Sequence, residues 1–427
     1  MSYPNTYYSQ TKAEDLVRTR IDSEHFADVT IIGGGLAGLT AGLELSKSGK
    51  KVIILEAESI GFGASGRNGG FVTPGFAAGD EIITRHAGHD AAHALHRLSI
   101  EGVEIVRQNI LGLGIDEAEL SPGIMSARRY DDGDILKHYT ERLNREYNYT
   151  VEFLPTDQTR TVLKSRRYFQ SVRDLNAFHI HPLNYLRALA REIERLGGSI
   201  FENSRVLQLK DHSDGKIVNT AQGSIKSGVV LITTGGYTDG LISKLKRSFL
   251  PIATYVMISE DAPELIASAV GTSCGIGDNR RAGDYYRVVD NGRRLLWGGR
   301  ITTRAADTPG VVHELRNEMV GTYPQLASLK TELAWSGLMS YARHQMPQIG
   351  KLDPATWYCT AFGGHGLNTT AVGGKIVAEA ICAQSDRYRL FEKFGLVWAG
   401  GGAGLVAAQL TYWKLQMQDW LAERQIG

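Results

Sequence analysis

A glycine-rich turn near the start of the chain constrains the fold more than any other feature. Gly33, Gly35 and Gly38 follow a short apolar strand and open directly into a predicted helix over residues 36–48. The first glycine permits the tight turn, the second lets backbone amides approach a pyrophosphate at the helix N-terminus, and the third lets helix and strand pack closely. Glu56 closes the next apolar strand, where a carboxylate would accept ribose hydroxyls. The run therefore predicts a βαβ unit that binds a dinucleotide.

The overall charge and the cysteine spacing argue against several classes of protein. The 427 residues contain 47 Lys and Arg against 46 Asp and Glu, for a formal net charge of +1. This balance supplies no broad basic field for a phosphate backbone, so nucleic acid is not expected as a partner. Cys274, Cys359 and Cys382 form no C-x-x-C pair, which argues against a disulfide framework or a zinc site. This cysteine usage fits a reducing compartment, and we expect a cytoplasmic protein whose oligomeric state the sequence leaves open.

One uncharged segment has the length of a membrane span. Residues 394–413 contain no charged side chain, and about 20 apolar residues suffice to cross a bilayer as a helix. Gly400, Gly401, Gly402 and Gly404 interrupt the segment, and each glycine costs about 1 kcal/mol in a helix interior. We therefore expect a loop followed by a buried helix that begins near Gly404, and no membrane span. The polar and acidic first part of the chain resembles neither a signal peptide nor a transit peptide.

Two further glycine-rich loops and the order of the strands indicate two interleaved domains. The loops cover residues 61–70 and 363–366, a buried strand from residue 229 leads into another glycine turn, and residues 251–302 are rich in strand formers. We predict an α/β fold in which a Rossmann-type nucleotide-binding domain is interleaved with an α+β substrate domain that carries a mixed or antiparallel sheet. The nucleotide-binding parts are predicted at 1–100, 180–245 and 335–427, and the substrate-domain parts at 101–179 and 246–334.

Several motifs, taken together, resemble one known family. Besides the first glycine turn they are Tyr7-Tyr8, residues 64–70, residues 181–185, residues 297–300 and residues 362–370. They resemble the D-amino-acid oxidase superfamily of flavoproteins, and most closely its branch of bacterial γ-glutamylputrescine oxidoreductases and related amine or imino-acid oxidases. The resemblance covers nearly the whole chain and implies FAD as the cofactor. Three separated glycine loops also suit a long ligand held by backbone amides better than an exchangeable nicotinamide cofactor.

The resemblance assigns the flavin contacts chiefly to the three glycine loops. The residues expected to contact FAD are Gly33, Gly35, Leu36, Ala37, Gly38, Glu56, Ala64, Ser65, Arg67, Asn68, Gly69, Gly70, Val206, Gly363, Gly364, His365, Gly366, Leu367, Asn368 and Thr369. Only the resemblance places Val206, through its backbone, at the adenine end. A helix that begins in the last loop would stabilise the negative charge of reduced flavin through its dipole. Some relatives tether flavin to a cysteine near the position of Met339, and because no cysteine stands there we expect non-covalent FAD.

Two lysines of the sarcosine oxidases are missing from this sequence. In those relatives one lysine, near the position of Asn368, holds the substrate carboxylate, and another, near that of Leu296, promotes reaction with oxygen. The position that binds a carboxylate and the identity of the electron acceptor therefore stay open.

Oxidation of an amine by flavin requires the substrate C–H over the flavin ring, a deprotonated amine and a pocket that excludes water. The candidates for contacting the substrate are Tyr286, Arg300, Tyr341 and His365. Arg300 can clamp a carboxylate through two hydrogen bonds or form an ion pair between the domains. The tyrosines can orient the substrate or simply pack in the core, and His365 can lie beside the ring or order its loop. Arg287 is a weaker alternative clamp.

Four histidines at helical spacing raise the question of a metal site. His86, His89, His93 and His96 share one face of a predicted helix. Tetrahedral zinc requires ligands that converge from several directions, and four histidines along one straight helix lie too far apart to converge. We therefore expect a solvated face and no metal site.

The sequence supports three functional hypotheses. The first is an FAD-dependent oxidoreductase that oxidises a C–N bond of a small amine, imino acid or amino acid to an imine, which is then hydrolysed, with O2 as the acceptor. The second is a flavin-dependent dehydrogenase of the same substrates, or of a 2-hydroxy acid, that uses a quinone or another carrier. The third is a non-catalytic flavin-binding subunit.

Overall fold

The computed structural model describes residues 3–281, 283–303 and 309–424. Its strands, in chain order, are β1 (Glu24–Ile32), β2 (Val52–Leu55), β3 (Phe71–Val72), β4 (Ser121–Ala127), β5 (Glu152–Leu154), β6 (Ser171–His179), β7 (Ser199–Phe201), β8 (Gln208–His212), β9 (Gly215–Asn219), β10 (Ser224–Ile232), β11 (Phe249–Ser259), β12 (Gly275–Asp278), β13 (Tyr285–Val289), β14 (Arg294–Thr302), β15 (Thr331–Ala342), β16 (Gln348–Asp353) and β17 (Thr356–Thr360). Its α-helices are α1 (Tyr7–Gln10), α2 (Leu36–Lys47), α3 (Asp80–Ala87), α4 (His89–Gly112), α5 (Gly133–Tyr147), α6 (Thr156–Val162), α7 (Pro182–Arg195), α8 (Ser243–Lys246), α9 (Pro263–Ala267), α10 (Pro309–Thr322), α11 (Gly366–Ile381) and α12 (Gly401–Arg424).

The first sheet is built around the predicted βαβ unit. Its strand order is β16-β17-β10-β1-β2-β7, and β9 joins β8 to the edge of β10. Strands β17, β10, β1, β2 and β7 run parallel, whereas β16 is antiparallel to β17. The strand β2 and the carboxyl half of β1 are buried and apolar, as expected of parallel strands covered on both faces. The helices α2, α4, α7 and α11 share one apolar core with this sheet.

The second sheet is mixed, as the sequence predicts. Its order is β15-β11-β14-β13-β12-β4-β6-β3, with β5 paired to β6. The pair β12 and β4 is parallel, and the other pairs are antiparallel. A separate apolar core under this sheet takes in side chains from α9 and α10. The chain therefore has one parallel-rich sheet for a nucleotide and one mixed sheet beside it.

The chain alternates between the two sheets, and three elements depart from the predicted domain division. The strand β3 lies in the predicted first nucleotide-binding part, yet it pairs with β6 of the second sheet. The helix α4 continues to Gly112 and packs in the core of the first sheet, so the boundary at residue 100 falls inside it. The strand β15 pairs with β11 of the second sheet across the predicted boundary at residue 335. The chain crosses back to the first sheet only after β15 ends.

The predicted buried helix near Gly404 is wrong. The helix α12 begins at Gly401, and within it only Tyr412 and Asp419 are buried. It packs on the second domain, because Gln409 accepts a hydrogen bond from the Thr303 amide at 3.1 Å. In the part of the chain that the structure describes, no helix is both long enough and apolar enough to cross a membrane.

Candidate active site

One large cavity connects the two sheets. Its volume is about 570 Å³, within the range of about 300–1,000 Å³ that is usual for ligand pockets. It begins near Glu56 and Val206 at the first sheet, passes all three glycine loops and ends among side chains of the second sheet. The sequence motifs therefore converge on a single elongated space.

The first glycine turn has the geometry that the sequence predicts. Gly33 has a φ of +113°, a conformation that side chains disfavour, and a Cβ added to Gly38 would lie 2.2 Å from the Gly33 carbonyl oxygen. A Cβ added to Gly35 would meet only the Ser65 side chain, with the Oγ at 3.1 Å. Gly35 lines the cavity and caps α2 without a side chain of its own, and the Leu36 amide donates to Ser65 Oγ at 3.1 Å, which leaves the other first-turn amides of α2 for a ligand.

Glu56 lies at the same end of the cavity as a buried acceptor. Its Oε2 accepts the amide of Gly34 at 2.7 Å and its Oε1 accepts that of Glu58 at 2.9 Å. Burial raises the pKa of the Glu56 carboxyl above its ordinary value, although both hydrogen bonds oppose the shift. The remaining lone pairs of a carboxylate held in this way suit ribose hydroxyls.

The second loop is held in place by its own polar side chains. Asn68 Nδ2 donates to the carbonyls of Ala64 and Ser65, at 3.1 and 2.7 Å, and its Oδ1 accepts the amide of Gly70 at 2.8 Å. Arg67 donates to the Phe62 carbonyl at 2.7 Å and to a tyrosine hydroxyl, so its guanidinium is fixed against the cavity wall. Asn68 thus shapes the loop, and the backbone is left to face the cavity.

The third loop requires glycine because Tyr341 lies over it. Gly363 has a φ of +64°, and a Cβ at Gly364 would lie 2.6 Å from the Tyr341 hydroxyl oxygen. The helix α11 starts here with no capping side chain at His365, so its first backbone amides are directed toward the cavity lined by Gly366. Two helix N-termini, those of α2 and α11, therefore border one space.

His365 lines the cavity but is engaged in ordering this loop. Its Nε2 lies 3.0 Å from the Pro74 carbonyl oxygen and 3.1 Å from the Thr73 hydroxyl. A carbonyl only accepts, so Nε2 carries the proton. Burial lowers the pKa of His365 below its ordinary value, and the ring is neutral near physiological pH. This geometry favours the loop-ordering role among those that the sequence left open.

Most of the predicted cofactor-binding positions line the cavity, and three do not. The lining includes Gly33, Gly35, Leu36, Ala37, Glu56, Ala64, Ser65, Arg67, Asn68, Gly69, Val206, Gly363, Gly364, His365, Gly366, Leu367 and Asn368. Gly38 lies behind the turn, where it allows close packing of α2. The Gly70 carbonyl accepts the Ile180 amide at 2.9 Å, and the Thr369 hydroxyl bonds back to the His365 carbonyl. Gly38, Gly70 and Thr369 are therefore structural.

Tyr286, which the sequence predicts to contact the substrate, does not line the cavity, whereas its neighbour Tyr285 does. Tyr286 is fully buried, stacks on Trp297 at 4.1 Å between ring centroids and bonds to other tyrosine hydroxyls. Tyr285 faces the opposite side of the strand, lines the cavity and fits against Gly298, where an added Cβ would lie 2.2 Å from its ring. The glycine opposite Tyr285 is the signal that could have identified it.

Arg300 lines the cavity and forms an ion pair within its own domain. Its Nη2 donates to Glu318 Oε1 at 2.8 Å, and its Nε lies 3.5 Å from an oxygen of Glu314. The ion pair considered as the alternative role of Arg300 therefore lies within one domain and not between domains, because α10 belongs with the second sheet. The Arg300 Nε is buried and has no hydrogen-bond partner among the described residues. One donor therefore remains for a ligand.

Besides Tyr285, sequence reasoning missed two further cavity residues, Tyr412 and Thr254. Tyr412 of α12 lines the cavity, and its hydroxyl lies within hydrogen-bonding reach of the Arg300 side chain and the Ile301 backbone. Burial raises the pKa of the Tyr412 hydroxyl, while the positive charge of Arg300 opposes the shift. Thr254 of β11 also lines the cavity beside Tyr285, to which it is hydrogen-bonded. A tyrosine on a distant C-terminal helix gives no local signal of this role.

Arg287, the alternative clamp, is occupied elsewhere. Its guanidinium donates to the carbonyls of Gly69 and Ile180, each at 2.8 Å, and to the Tyr8 hydroxyl at 3.1 Å. It is buried and absent from the cavity lining. Arg287 therefore fastens the second glycine loop, and the Tyr7-Tyr8 motif, to the second sheet.

The four histidines do not lie on a single helix. His86 is near the end of α3, whereas His89, His93 and His96 are on α4, after a break at Gly88, whose φ is +84°. His93 and His96 contact the ring of Tyr147, with centroids 4.6 and 4.0 Å apart. Within the described ranges, no group of three or more His, Cys, Asp or Glu side chains could hold a metal ion.

Comparison with known proteins decides the family. A family model described as FAD dependent oxidoreductase matches residues 28–380. The chain belongs to this FAD-dependent oxidoreductase family. Its relatives include γ-glutamylputrescine oxidoreductase of Escherichia coli (strain K12), 31% identical over 392 residues with 91% of each chain covered. The probable oxidoreductase OrdL of Haemophilus influenzae is 31% identical over 408 residues, covering 93% of this chain and 92% of the relative.

A solved structure supports the same fold. Glycine oxidase from Geobacillus kaustophilus matches with a TM-score of 0.72 and 19% identity, covering 87% of this chain and 99% of that one. The predicted fold class, with a Rossmann-type FAD-binding domain and a mixed substrate sheet, is confirmed. The protein is an FAD-dependent oxidoreductase, as the sequence motifs predict.

The residues of the cavity fit FAD. Gly35 leaves open the space beside the α2 N-terminus, where a Cβ would intrude, and Glu56 offers a buried carboxylate nearby. The apolar Leu241, Ile242 and Leu245 line the end at Val206, which suits an adenine ring. At the other end, α11 directs its N-terminal amides into the cavity beside Gly366, where they would stabilise negative charge on a reduced flavin ring.

We expect denaturation to release all of the flavin. The free cysteines Cys274, Cys359 and Cys382 all lie outside the cavity lining, so no thiol is placed to form a thioether with the ring. Acid precipitation of the purified enzyme should leave all yellow absorbance in the supernatant. Flavin that stays with the protein pellet after extensive washing would contradict this expectation.

Proposed function

We propose that this enzyme oxidises a C–N bond of a small amine, imino acid or amino acid to an imine, which water then hydrolyses to a carbonyl product. Bound FAD accepts the two electrons of such an oxidation. The observation that carries the proposal is a buried polar atom at the substrate end of the cavity, Arg300 Nε, which has no hydrogen-bond partner in the described ranges. The Tyr412 hydroxyl lies beside it, within hydrogen-bonding reach of the Arg300 side chain and the Ile301 backbone. Buried polar atoms are rarely left unpaired, so a polar substrate is the natural partner.

The substrate class that we propose carries a carboxylate or an amide oxygen in addition to its amine. Arg300 Nε can donate to such an oxygen while its Nη2 keeps Glu318. Arg300 therefore makes one charge-assisted hydrogen bond to the substrate. A bidentate contact with a carboxylate would require Arg300 to release Glu318. The likeness to the E. coli γ-glutamylputrescine oxidoreductase supports a γ-glutamylated amine as a first substrate to test.

Two tyrosines form the walls around the reacting group. Tyr285 and Tyr341 both line the substrate end. Burial raises the pKa of Tyr341 to about 12 and that of Tyr285 further above its ordinary value. Both hydroxyls therefore remain protonated at physiological pH. We propose that they exclude water and orient the amine, and that neither acts as a base.

We propose O2 as the electron acceptor, with a carrier-linked dehydrogenase as the second candidate. One observation favours the second candidate. Leu296, near the position where sarcosine oxidases have their oxygen-promoting lysine, is fully buried in an apolar cluster with Tyr8 and Trp335. A charged side chain at position 296 would carry a large desolvation cost. This position therefore does not supply the positive charge that promotes reaction with oxygen in the sarcosine oxidases.

Anaerobic bleaching of the flavin tests the proposed chemistry. The holoenzyme is mixed without oxygen with γ-glutamylputrescine, putrescine, glycine, proline and a 2-hydroxy acid, and flavin absorbance is followed. We expect bleaching by one of the nitrogen compounds, most rapidly by one that also carries a carboxylate. Readmitted air should restore the absorbance and produce hydrogen peroxide. Bleaching by the 2-hydroxy acid alone, or none on a broad panel of amines and amino acids, would contradict amine oxidation.

The same experiment separates the two acceptors. If the flavin absorbance of the bleached enzyme recovers slowly in air but rapidly with a quinone or a redox dye, the enzyme is a carrier-linked dehydrogenase. A purified protein that holds flavin and is bleached by dithionite alone would be the non-catalytic subunit considered from the sequence.

A further inference from the structure

The C-terminal helix α12 exposes a row of large apolar side chains. The side toward the protein carries Gln409, Asp419 and Glu423 together with Leu405, Tyr412 and Leu415, whereas the exposed side carries further large apolar side chains. The exposed apolar residues and their accessible fractions are Val406 61%, Leu410 57%, Trp413 58%, Met417 57%, Trp420 51% and Leu421 46%. A contiguous exposed patch of this kind marks an interaction site.

Polar contacts fix this orientation. Asp419 accepts the Arg281 amide at 3.2 Å, and Glu423 forms ion pairs with Arg129 at 3.2 Å and Arg167 at 2.9 Å. These partners lie on the second domain. A rotation of α12 that buried its apolar side would break all three contacts. The apolar stripe therefore faces outward because its opposite side is bound.

The spacing of the stripe matches the seam of a coiled coil. Val406, Leu410, Trp413, Met417 and Trp420 are separated by four, three, four and three residues. That alternation repeats every 3.5 residues and lets side chains of one helix fit between those of another. A two-fold dimer uses the same surface on both copies. An apolar stripe along one helix can meet this requirement by packing against the same stripe of a second copy.

We propose that α12 pairs with α12 of a second copy of this chain to form a two-fold dimer. Six half-exposed side chains of this size offer on the order of 100 Å² each, or about 600 Å² per copy, which approaches the roughly 800 Å² per partner of a stable interface.

The charges of the helix favour a second copy over an anionic membrane. Recognition of an anionic membrane uses clusters of about four to eight basic residues. The exposed side of α12 carries only Lys414 and Arg424, and the Arg424 guanidinium lies 3.8 Å from the ring centroid of Trp420. Two basic side chains fall short of such a cluster.

Sedimentation velocity of the flavin-loaded enzyme tests this interface. The wild type should sediment as a concentration-dependent dimer, and the double variant Leu410→Glu/Met417→Glu as a monomer, with the dimer dissociation constant raised at least about 100-fold. Leu111→Glu provides a control, because Leu111 is an exposed leucine on a different helix, α4, with 70% of its surface accessible. This control should remain dimeric. Flavin absorbance per chain and the thermal midpoint should be equal in all three proteins.

Several outcomes would overturn the interface. A wild type that stays monomeric up to high micromolar concentration would do so, as would a dimer that survives the double substitution. If the double variant loses flavin or folds poorly, the milder variant Met417→Gln is compared with the wild type instead. A Met417→Gln protein that dimerises as strongly as the wild type would count against the proposal. Flotation with phosphatidylcholine–phosphatidylglycerol vesicles tests membrane binding, the alternative to dimerisation. A monomeric wild type that floats with the vesicles, when the double variant does not, would show that α12 docks on a membrane.

Discussion

Replacing Gly35 by valine should abolish flavin binding while leaving the chain folded. In the structure an added Cβ at Gly35 would approach only the Ser65 Oγ, at 3.1 Å, and that side chain can move. The rest of the valine side chain would fill the space beside the α2 N-terminus that a pyrophosphate requires. A loss of about 3 kcal/mol or more in FAD binding lowers affinity at least about 100-fold. The variant should purify colourless, with circular dichroism close to that of the wild type without flavin.

Gly79 provides the matched control for this experiment. It too caps a helix N-terminus, that of α3, in an extended backbone conformation, and a Cβ added there would meet nothing within 4 Å. Gly79→Val should therefore keep a full complement of flavin. Normal flavin content in Gly35→Val would refute the assignment of the first glycine turn as the pyrophosphate site.

Replacing Arg300 by lysine should lower kcat/KM for a carboxylate-bearing substrate by about 10- to 100-fold. Lysine presents a point charge and cannot both keep Glu318 and donate from the position of Arg300 Nε. Loss of a charge-assisted hydrogen bond costs about 1.5–3 kcal/mol, and each 1.4 kcal/mol is about tenfold in rate. Glu318 keeps a second partner in Arg280, at 3.0 Å, so its carboxylate is not left unpaired. Steady-state kinetics of the flavin-loaded variant, with FAD content unchanged, provide the measurement.

Arg294→Lys is the control, because Arg294 is an ion-paired arginine on the same strand, β14, and lies outside the cavity lining. Its kinetics should match those of the wild type. Unchanged kinetics in Arg300→Lys would remove Arg300 from substrate binding. A fall shared equally by a plain amine such as putrescine would show that Arg300 acts on the architecture of the site instead, and Tyr285, Tyr341 and Tyr412 would then be the candidates for surrounding the amine.

The cofactor site was largely predictable because its constraints are local. Gly33 needs a positive φ, and Gly38 needs room beneath a carbonyl, whatever the rest of the chain does. Only glycine meets such requirements, so the positions can be recognised in the sequence. The same holds for the third loop, where Gly363 and Gly364 lie under Tyr341.

The substrate end was less predictable because its constraints come from distant parts of the chain. Neighbouring residues on a strand face opposite sides, and pairing with β14 decides which of Tyr285 and Tyr286 meets the cavity. Tyr412 lies beyond residues 28–380, the part of the chain that the family model covers. The sequence of α12 predicts burial because it is apolar, but the contacts of Asp419 and Glu423 with the second domain turn that apolar side outward.

Interleaving of the two sheets also determines the order in which a growing polypeptide can be completed on the ribosome. When β10 has emerged at Ile232, its neighbour β17, which begins at Thr356, has not yet been synthesised. At roughly 5–20 residues per second, the open edge of β10 waits about 6–25 s for that strand. The third glycine loop follows β17, so the nascent chain cannot enclose a flavin until most of it has been made. Unpaired strand edges of this kind favour aggregation, so the nascent chain is exposed to that risk throughout this interval.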